Sequence, residues 1–527
     1  MNIAPTVNAD TPSVSAKVRA IFLSGSAVVG LLAAAKFVVH MASAKVYGPF
    51  IDELYFLACG QHLAWGYVDL PPLTALQAWL TRALFGDSMY SIRLFPSLAG
   101  AGLVILTGAL VRAFGGKRFA QGLAALAVLV APVYLGFDSY LSMNSIEPLI
   151  WMGCALVIVR IIQSGNTKLW LWFGLLAGVG MLNKNTMLMF GFAVGLGLLL
   201  TPERRLMWNR WFFIAGGIAL VIFLPNLVWM IRHHFPHLEL LANIKRNGRD
   251  VVFTPLQFLL MQAEMMHPAS CPIWLVGLYS FLARRPARPY RALGWAYPIA
   301  LATLLILQAK VYYLMPVYPM LLAGGAVVIE EWLARPHLTW VRPAYVALLA
   351  FSGALIAPAY LPILPPETYL RYTNALGITQ AKIENRGTNA MPQFFADRFG
   401  WHEMIQAVAK VYYALPPEER SKTAIIGNDF GQCGAVDFYG PEYGLPRSIG
   451  THLTYWLWGP RDYTGEIMIV LGDTRKGASQ WFDSVEEVAK VGRPYAMRQE
   501  QFQILLCRKP KGGTTLQEIW PRIKNYN

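Results

Sequence analysis

Long runs of apolar residues, separated by short basic or proline-containing segments, fill about the first two-thirds of the chain. A run of roughly 20 apolar residues is long enough to cross a bilayer as an α-helix. The pattern therefore predicts a polytopic α-helical membrane protein with about eleven transmembrane spans. The predicted spans lie near residues 20–42, 94–112, 119–136, 145–162, 169–183, 186–201, 211–230, 270–283, 292–308, 313–333 and 343–363.

The pattern changes after residue 363. Residues 364–527 carry mixed charge and short β-like segments such as TAIIG, EIMIVLG and QFQILLC, with Gly, Pro and Asp between them. The segment WHEMIQAVAKVYYAL has helical periodicity. The chain is therefore predicted to have two parts, a membrane domain over residues 1–363 and a small α/β domain over residues 364–527.

Composition supports the membrane assignment and changes the interpretation of the charge. Of the 527 residues, 55% are hydrophobic and 14% are charged, whereas an ordinary soluble domain has about 25% charged residues. A soluble protein is therefore excluded. The formal net charge of +15 could attract nucleic acid, but the basic residues cluster in short segments between apolar runs. That distribution is typical of orientation in a membrane, and no nucleic-acid partner is predicted.

Basic residues concentrate in alternate loops, which predicts a cytoplasmic N-terminus under the positive-inside rule. An odd number of spans then places the C-terminal part, and the long loops 43–93 and 231–269, on the external side. The apolar run from Ala20 to Val39 is longer than the core of a signal peptide, so we expect an uncleaved first span. The basic residues of the predicted cytoplasmic segments are Lys17, Arg19, Arg112, Lys117, Arg118, Arg160, Lys168, Arg204, Arg205, Arg210, Arg284, Arg285, Arg288, Arg291, Arg335 and Arg342.

Ionisable residues gather on the predicted external side, at the depth of the lipid headgroups. Residues of this kind are functional candidates, but structural explanations stay open. Asp52 and Glu53 could complement a helix dipole. Arg82 and Arg93 could extend to headgroups, and Lys184 could be a loop lysine. The further candidates on this side are Asp69, Asp138, Asn144, Glu147, Lys310 and Tyr313, and the tyrosine could also belong to an interfacial aromatic belt.

The cysteines and histidines show no clear metal-ligand spacing. A proline interrupts the group formed by His233, His234 and His237, which favours loop histidines over a metal site. The sequence defines no cofactor, and a divalent metal ion stays an open alternative. Cys433 and Cys507 both fall in the predicted external part, where disulfides persist, so their pairing also stays open.

Eight segments, in their order and spacing, carry a resemblance to a known family. IDELYF, GYVDLPPLTAL and SIRLFPSLAG lie in the first external loop, and SMNSIEPLIWM, MLNKNTMLM and KVYYLMPVYPMLLAGG follow. NDFGQCGAVDFYG and THLTYWLWGP lie in the C-terminal part. Together they resemble the GT-C glycosyltransferases of the protein O-mannosyltransferase and aminoarabinose transferase type. The resemblance covers residues 45–335 well and the C-terminal part more loosely.

The resemblance implies a bacterial inner-membrane enzyme that transfers a sugar from a polyprenyl-phosphate carrier to an acceptor at the external face. The acceptor can be lipid A, another glycan or a protein, and membrane lipids are the other partner. The family's acidic pair falls on Asp52, the general base, and Glu53, its neighbour. Its phosphate-binding cations fall on Arg93 and Lys310. Further candidates for the phosphate site are Lys184, Arg82 and Tyr313.

Two departures from the family pattern leave the acceptor site open. The chain has Leu70 where the family often has a histidine, and MNSIEP where the family often has an aspartate. The candidates for acceptor contacts are therefore Asp138, Asn144, Glu147 and Asp69.

The chemistry of a sugar on a lipid phosphate agrees with these residue types. Because the phosphate is already a good leaving group, the enzyme needs a carboxylate to take the acceptor proton and cations to hold the phosphate. A single displacement inverts the anomeric centre. Two other functions stay open. A flippase of lipid-linked sugars would favour inverted repeats, which the sequence does not show, and a ligase or polymerase of lipid-linked glycans would use similar substrates.

Overall fold

The computed structural model describes residues 24–527, apart from residues 380–381, 386, 388–389, 493 and 497–500. Lys17 and Arg19, on which the orientation of the first span partly depends, lie outside the described residues. Each predicted span overlaps a helix of the structure, and the first of these helices begins at Gly25. These helices are Gly25–Ser43, Leu94–Ala113, Arg118–Val130, Met143–Ser164, Trp170–Asn183, Thr186–Leu199, Arg210–Arg232, Cys271–Ala283, Arg291–Leu307, Tyr318–Trp332 and Val341–Tyr360.

The structure is that of a polytopic helical membrane protein. Among the described residues, seven helical segments are long and apolar enough to cross a bilayer, and three shorter apolar helices accompany them. The number of eleven crossings stays a prediction. The seven long segments are Gly25–Ser43, Met89–Ala113, Met143–Ser164, Arg210–Arg232, Arg288–Leu307, Val311–Trp332 and Pro336–Tyr360, and the shorter ones are Arg118–Val130, Thr186–Leu199 and Pro268–Ala283.

Shorter helices connect the spans and build the C-terminal part. The helix Ile51–Gln61, called here the Asp52 helix, follows the first span directly. The other short helices are Leu73–Phe85, Met89–Ile92, Pro132–Phe137, Pro236–Arg246, Pro255–Met265, Pro366–Ala375, Gln393–Ala396, Trp401–Ala414, Pro417–Arg420, Phe430–Tyr439, Thr454–Trp458, Arg475–Ala478 and Leu516–Ile519.

A five-stranded mixed sheet lies in the C-terminal part. Its strands are β1 Thr423–Gly427, β2 Ile449–Gly450, β3 Ile467–Leu471, β4 Phe482–Val491 and β5 Phe502–Pro510, in the spatial order β2-β1-β3-β5-β4. Strand β1 is parallel to β2 and β3, and β5 is antiparallel to β3 and β4. The three β-like sequence segments fall on β1, β3 and β5, and the periodic segment forms the helix Trp401–Ala414.

One apolar core joins the Asp52 helix to the sheet and its helices. Ile51 and Leu54 belong to the same buried cluster as Trp401 and the strand residue Ile469. The helix Phe430–Tyr439 approaches the Asp52 helix closely, because a Cβ atom at Gly434 would stand 2.8 Å from the backbone carbonyl carbon of Leu54. The C-terminal part therefore helps to position Asp52. The division into domains at residues 363 and 364 stays a prediction.

Candidate active site

A cavity of about 590 Å³ lies beside the N-terminal end of the Asp52 helix. Its lining combines charged side chains of both signs with aromatic rings. Both long loops predicted to be external contribute to it, and so does the segment that follows the last membrane helix. The charged residues in the lining are Asp52, Asp69, Lys184, Arg249, Asp250, Lys310, Lys382 and Glu384.

Glu53 fixes the start of the Asp52 helix from behind the cavity. Its buried carboxylate accepts backbone N–H groups of Phe50 at 2.8 Å and Leu141 at 2.9 Å. It also accepts two N–H groups of Arg93, at 2.8 Å and 3.2 Å. Burial alone raises the pKa of Glu53, but the charge and hydrogen bonds of Arg93 hold the pKa below its usual value. The carboxylate is therefore ionised and fully engaged within the protein.

Arg93 lies behind the cavity and is not part of its lining. Its side chain is 1% exposed and is absent from the cavity lining. Besides Glu53, it donates to the backbone carbonyls of Ala44 at 2.6 Å and Gly48 at 2.8 Å. Its guanidinium holds the chain ahead of the Asp52 helix, so the contacts favour a structural role, and phosphate binding by Arg93 stays a prediction.

Lys184 faces the cavity from the turn between the helices Trp170–Asn183 and Thr186–Leu199. Its ammonium donates to Asn144 and to Glu147, each at 2.8 Å. It also lies 4.2 Å from the ring centre of Tyr313, in a cation–π contact. Asn144, Lys184 and Tyr313 line the cavity, whereas Glu147 is buried behind them and also accepts the hydroxyl of Thr186. The sequence candidates from three separate segments thus form one cluster.

Lys310 connects two loops at the other side of the cavity. Its ammonium donates to Glu384 at 2.7 Å and lies 3.5 Å from a carboxylate oxygen of Asp250. The loops that carry these acids also pair through their backbones, since Asn385 donates its N–H to the carbonyl of Arg249 at 2.7 Å. Lys310 therefore lies in the cavity lining and is anchored there by two carboxylates.

Asp69 is a cavity residue with a perturbed acidity. It accepts the hydroxyl of Tyr55 at 2.8 Å, and that hydroxyl also lies 2.5 Å from the hydroxyl of Thr454. Burial raises the pKa of Asp69 to about 6, although the hydrogen bond from Tyr55 opposes this shift. A carboxyl group of this kind changes its charge near neutral pH.

Two predicted site residues lie away from the cavity. Asp138 is buried and forms an ion pair at 2.9 Å with Lys36, which lies in the first membrane helix. Arg82 pairs with Asp87 near the surface. Neither residue lines the cavity, so the cavity gives no support to acceptor binding by Asp138 or phosphate binding by Arg82, and both stay predictions.

Sequence reasoning missed Arg398, a buried cation behind the cavity wall. Its guanidinium lies between 4.8 and 5.7 Å from the ring centres of Phe50, Tyr140 and Phe394, all of which line the cavity. It donates to the hydroxyl of Ser139 at 3.1 Å. Burial and the nearby Arg93 lower the pKa of Arg398 to about 9. The only sequence signal is an arginine among aromatic residues in QFFADRFG, which identifies no role.

The sequence left open a metal site and a disulfide between Cys433 and Cys507, and the described part of the chain bears on both. There, no group of three or more His, Cys, Asp or Glu side chains is placed to hold a metal ion. Cys433 and Cys507 are both buried free thiols. Cys433 contacts the backbone carbonyl oxygens of Gly427 and Ile449 through its sulfur, at 3.6 Å and 3.3 Å. The structure therefore contains no disulfide between the two cysteines.

Known proteins share both the sequence pattern and the fold. A family described as dolichyl-phosphate-mannose-protein mannosyltransferase matches residues 69–229. The fold is similar to that of ArnT from Cupriavidus metallidurans in the apo state, with a TM-score of 0.60 and 16% identity over 90% of this chain and 97% of that chain. The same protein bound to undecaprenyl phosphate matches with a TM-score of 0.58 and 14% identity, over 92% of this chain and 98% of that chain.

A sequence relative supports the same class. The chain is 25% identical over 340 residues to the lipid A galacturonosyltransferase RgtD of Rhizobium johnstonii. The aligned region covers 62% of this chain and 69% of the relative. Together with the fold, these matches confirm the resemblance seen in the sequence. The chain therefore resembles the bacterial GT-C glycosyltransferases in sequence and shares the fold of ArnT over most of its length.

Proposed function

We propose that the chain transfers a sugar from a polyprenyl-phosphate carrier to an acceptor lipid, with Asp52 as the general base. The observation that carries this proposal is that Asp52, Lys184 and Lys310 line the same cavity. One carboxylate for an acceptor proton and two cations for a phosphate are the groups that this transfer needs. The ArnT structure bound to undecaprenyl phosphate and the relative named a lipid A galacturonosyltransferase support the carrier and the lipid acceptor.

Lys184 and Lys310 are the proposed ligands of the carrier phosphate. An ammonium group has three N–H donors, and in each lysine two of them face oxygen atoms of the protein. One donor on each side chain therefore remains for a phosphate oxygen. The nearby carboxylates Glu147 and Glu384 keep the lysines in position and limit the net positive charge of the empty cavity.

Asp52 is the proposed base because it reaches the cavity from the first turn of its helix, whereas Glu53 is engaged behind it. Successive side chains of a helix point about 100° apart, which explains how two adjacent acids have separate surroundings. In the reaction Asp52 accepts the proton of the acceptor hydroxyl, whose oxygen forms a bond to the anomeric carbon. The bond from that carbon to the phosphate oxygen breaks, and the polyprenyl phosphate leaves with the electron pair. The anomeric centre inverts.

The test is sugar transfer by the purified full-length chain in detergent, with a radiolabelled polyprenyl-phosphate sugar and lipid A. General-base catalysis contributes about 10²- to 10⁴-fold, so Asp52→Asn should reduce the transfer rate by at least about 10²-fold while carrier binding is kept. Asp87→Asn is the matched control, since Asp87 pairs with Arg82 away from the cavity. Near-normal transfer by Asp52→Asn with saturating carrier would refute the role of Asp52.

The same experiment separates the other functions. Movement of the labelled carrier across a vesicle membrane without transfer to any acceptor would indicate a flippase. Transfer to an oligosaccharide or a protein, but not to lipid A, would indicate a ligase or a protein glycosyltransferase.

The proposal also needs the cavity to face the external side of a bacterial inner membrane. A cysteine added after Asn527 should therefore react with a membrane-impermeant thiol reagent that is added outside the cell. Reaction only after the membrane is permeabilised would place Asp52 and the cavity on the cytoplasmic side. That result would refute the external orientation that the proposed function needs.

A further inference from the structure

Residues 524–527 run from the C-terminal part to the wall of the cavity, and we call this segment the strap. On the C-terminal side, Asn525 donates its N–H to the carbonyl of Thr451 at 2.9 Å, and its own carbonyl accepts the N–H of Leu453 at 3.0 Å. The ring of Tyr526 is 4% exposed and belongs to the same buried cluster as the sheet residues. The strap is therefore attached firmly to the part of the chain that carries the sheet.

The other side of the strap holds the helix Pro236–Arg246 and the residue that follows it. Leu240 and Ile244 of this helix line the cavity, whereas the side chains that contact the strap do not. The strap thus supports one wall of the cavity from outside its lining. The contacts are Glu239 with the ammonium of Lys524 at 2.6 Å, Asn243 with the carbonyl of Tyr526 at 2.7 Å, and Asn247 with the side-chain oxygen of Asn527 at 2.7 Å.

A connected series of polar contacts leads from the strap to Lys310. The carbonyl oxygen of Asn527 accepts an N–H of Arg249 at 3.1 Å, and it also lies 3.0 Å from Nε2 of His452. Nε of the same arginine donates to Oδ1 of Asp250 at 3.4 Å. That oxygen lies 3.5 Å from the ammonium of Lys310. The position of the strap is therefore transmitted to a cation in the cavity.

Lys310 needs this support because of its own side chain and because of the loop beside it. A lysine ammonium stands on a flexible four-carbon stem, and a flexible group binds an anion more tightly when it is fixed beforehand. Residues 247–254, which carry Asp250, lie between two helices and contain no helix themselves. Arg249 and Asp250 carry opposite charges, so a displacement of this loop changes the position of Lys310 and leaves the net charge of the cavity unchanged.

We propose that the strap positions Lys310 for the phosphate of the polyprenyl carrier, acting through Arg249 and Asp250. This inference rests on the proposed function, in which Lys310 is a ligand of that phosphate. The strap residues are positioning residues, since they lie outside the cavity lining. The C-terminal part thereby sets the affinity for the carrier, while the proton transfer to Asp52 is left unchanged.

The test is a binding titration of undecaprenyl phosphate to the full-length chain in detergent micelles. The double variant Asn243→Ala, Asn247→Ala removes two donors to the strap. It should weaken carrier binding by at least about five-fold and at most about 30-fold, the upper value corresponding to the rotamer entropy of one lysine. In sugar transfer, KM for the carrier should rise while kcat is kept. Asn166→Ala, an exposed asparagine in a turn between two other helices, is the matched control and should change neither.

Two further variants separate positioning from general support of the fold. In a Lys310→Met background, the changes at Asn243 and Asn247 should weaken carrier binding by less than about two-fold, because the group that the strap positions is already absent. Lys524→Glu places two carboxylates together and should also weaken binding. Adding Glu239→Lys to that variant restores an ion pair and should recover the affinity.

Two results would overturn the inference. One is a carrier affinity of the double asparagine variant equal to that of the unaltered chain. The other is an equal loss of affinity with and without Lys310, which would show that the strap acts on another part of the cavity. Failure of the proposed function is read separately, as an unaltered chain that binds the carrier and transfers no sugar, and the effect of the strap is still measured by binding.

Discussion

The buried pair of Glu53 and Arg93 provides a quantitative test of how the active site is held. Glu53→Gln keeps the shape of the side chain but removes its negative charge. It also places an NH₂ group, which is itself a donor, among the N–H donors of Phe50, Arg93 and Leu141. Four hydrogen bonds converge on the carboxylate, and both side chains are almost fully buried. Removing one partner of such a pair costs about 3–5 kcal/mol, because the remaining charge is left without compensation.

We therefore expect Glu53→Gln to lower the free energy of unfolding by about 3–5 kcal/mol. Tryptophan fluorescence during denaturant titration in mixed micelles measures this change. The matched control is Glu331→Gln, which removes an exposed carboxylate 2.9 Å from Arg284 and should cost less than about 1 kcal/mol.

A double-mutant cycle isolates the pair itself. Glu53→Leu and Arg93→Met should each be strongly destabilising, whereas the double variant should lose less than the sum of the two, because no uncompensated charge remains. A Glu53→Gln variant within about 1 kcal/mol of the unaltered chain, or a cycle with additive effects, would refute this account of the site.

The pH dependence has a definite sign. The pKa of Glu53 in the folded state lies below its usual value of 4.5, so the stability from the pair is present above that value. It is lost as the pH falls through the lower, folded-state pKa. The difference in stability between the unaltered chain and Glu53→Gln should therefore be constant from pH 6 to pH 8.

Two further predictions concern the surroundings of Asp52. Gly434→Val should reduce the transfer rate and the thermal stability together, because its side chain would meet the backbone of Leu54, whereas Gly216→Val, at a site with open space, should change neither. Asp69→Asn should remove a pH dependence of unfolding. Since burial raises the pKa of Asp69 from 3.8 to about 6, its favourable contribution is present below pH 4 and is lost as the pH rises to 6. Equal pH profiles of the variant and the unaltered chain would contradict the assignment.

Local patterns determined the elements of this protein. The apolar runs predict the positions of the seven long apolar helices in the described part of the chain, because a bilayer requires a minimum length of apolar helix. The segments TAIIG and EIMIVLG predict strands because their branched side chains favour extended backbone. The sequence alone also identified Asp52, Asp69, Lys184 and Lys310, which all line one cavity, since charge near a membrane surface is costly and needs a reason.

Only the tertiary structure decided which charges meet. Arg93 pairs with Glu53 from 40 residues away, and Asp138 pairs with Lys36 in the first membrane helix. Arg398 comes from the C-terminal part, and its aromatic neighbours along the chain do not by themselves indicate a buried cation. The energy of an ion pair depends on distance and burial, and both are set by segments that are remote in sequence. Residue type therefore identified the candidates, and packing selected which of them face the cavity and which support it from behind.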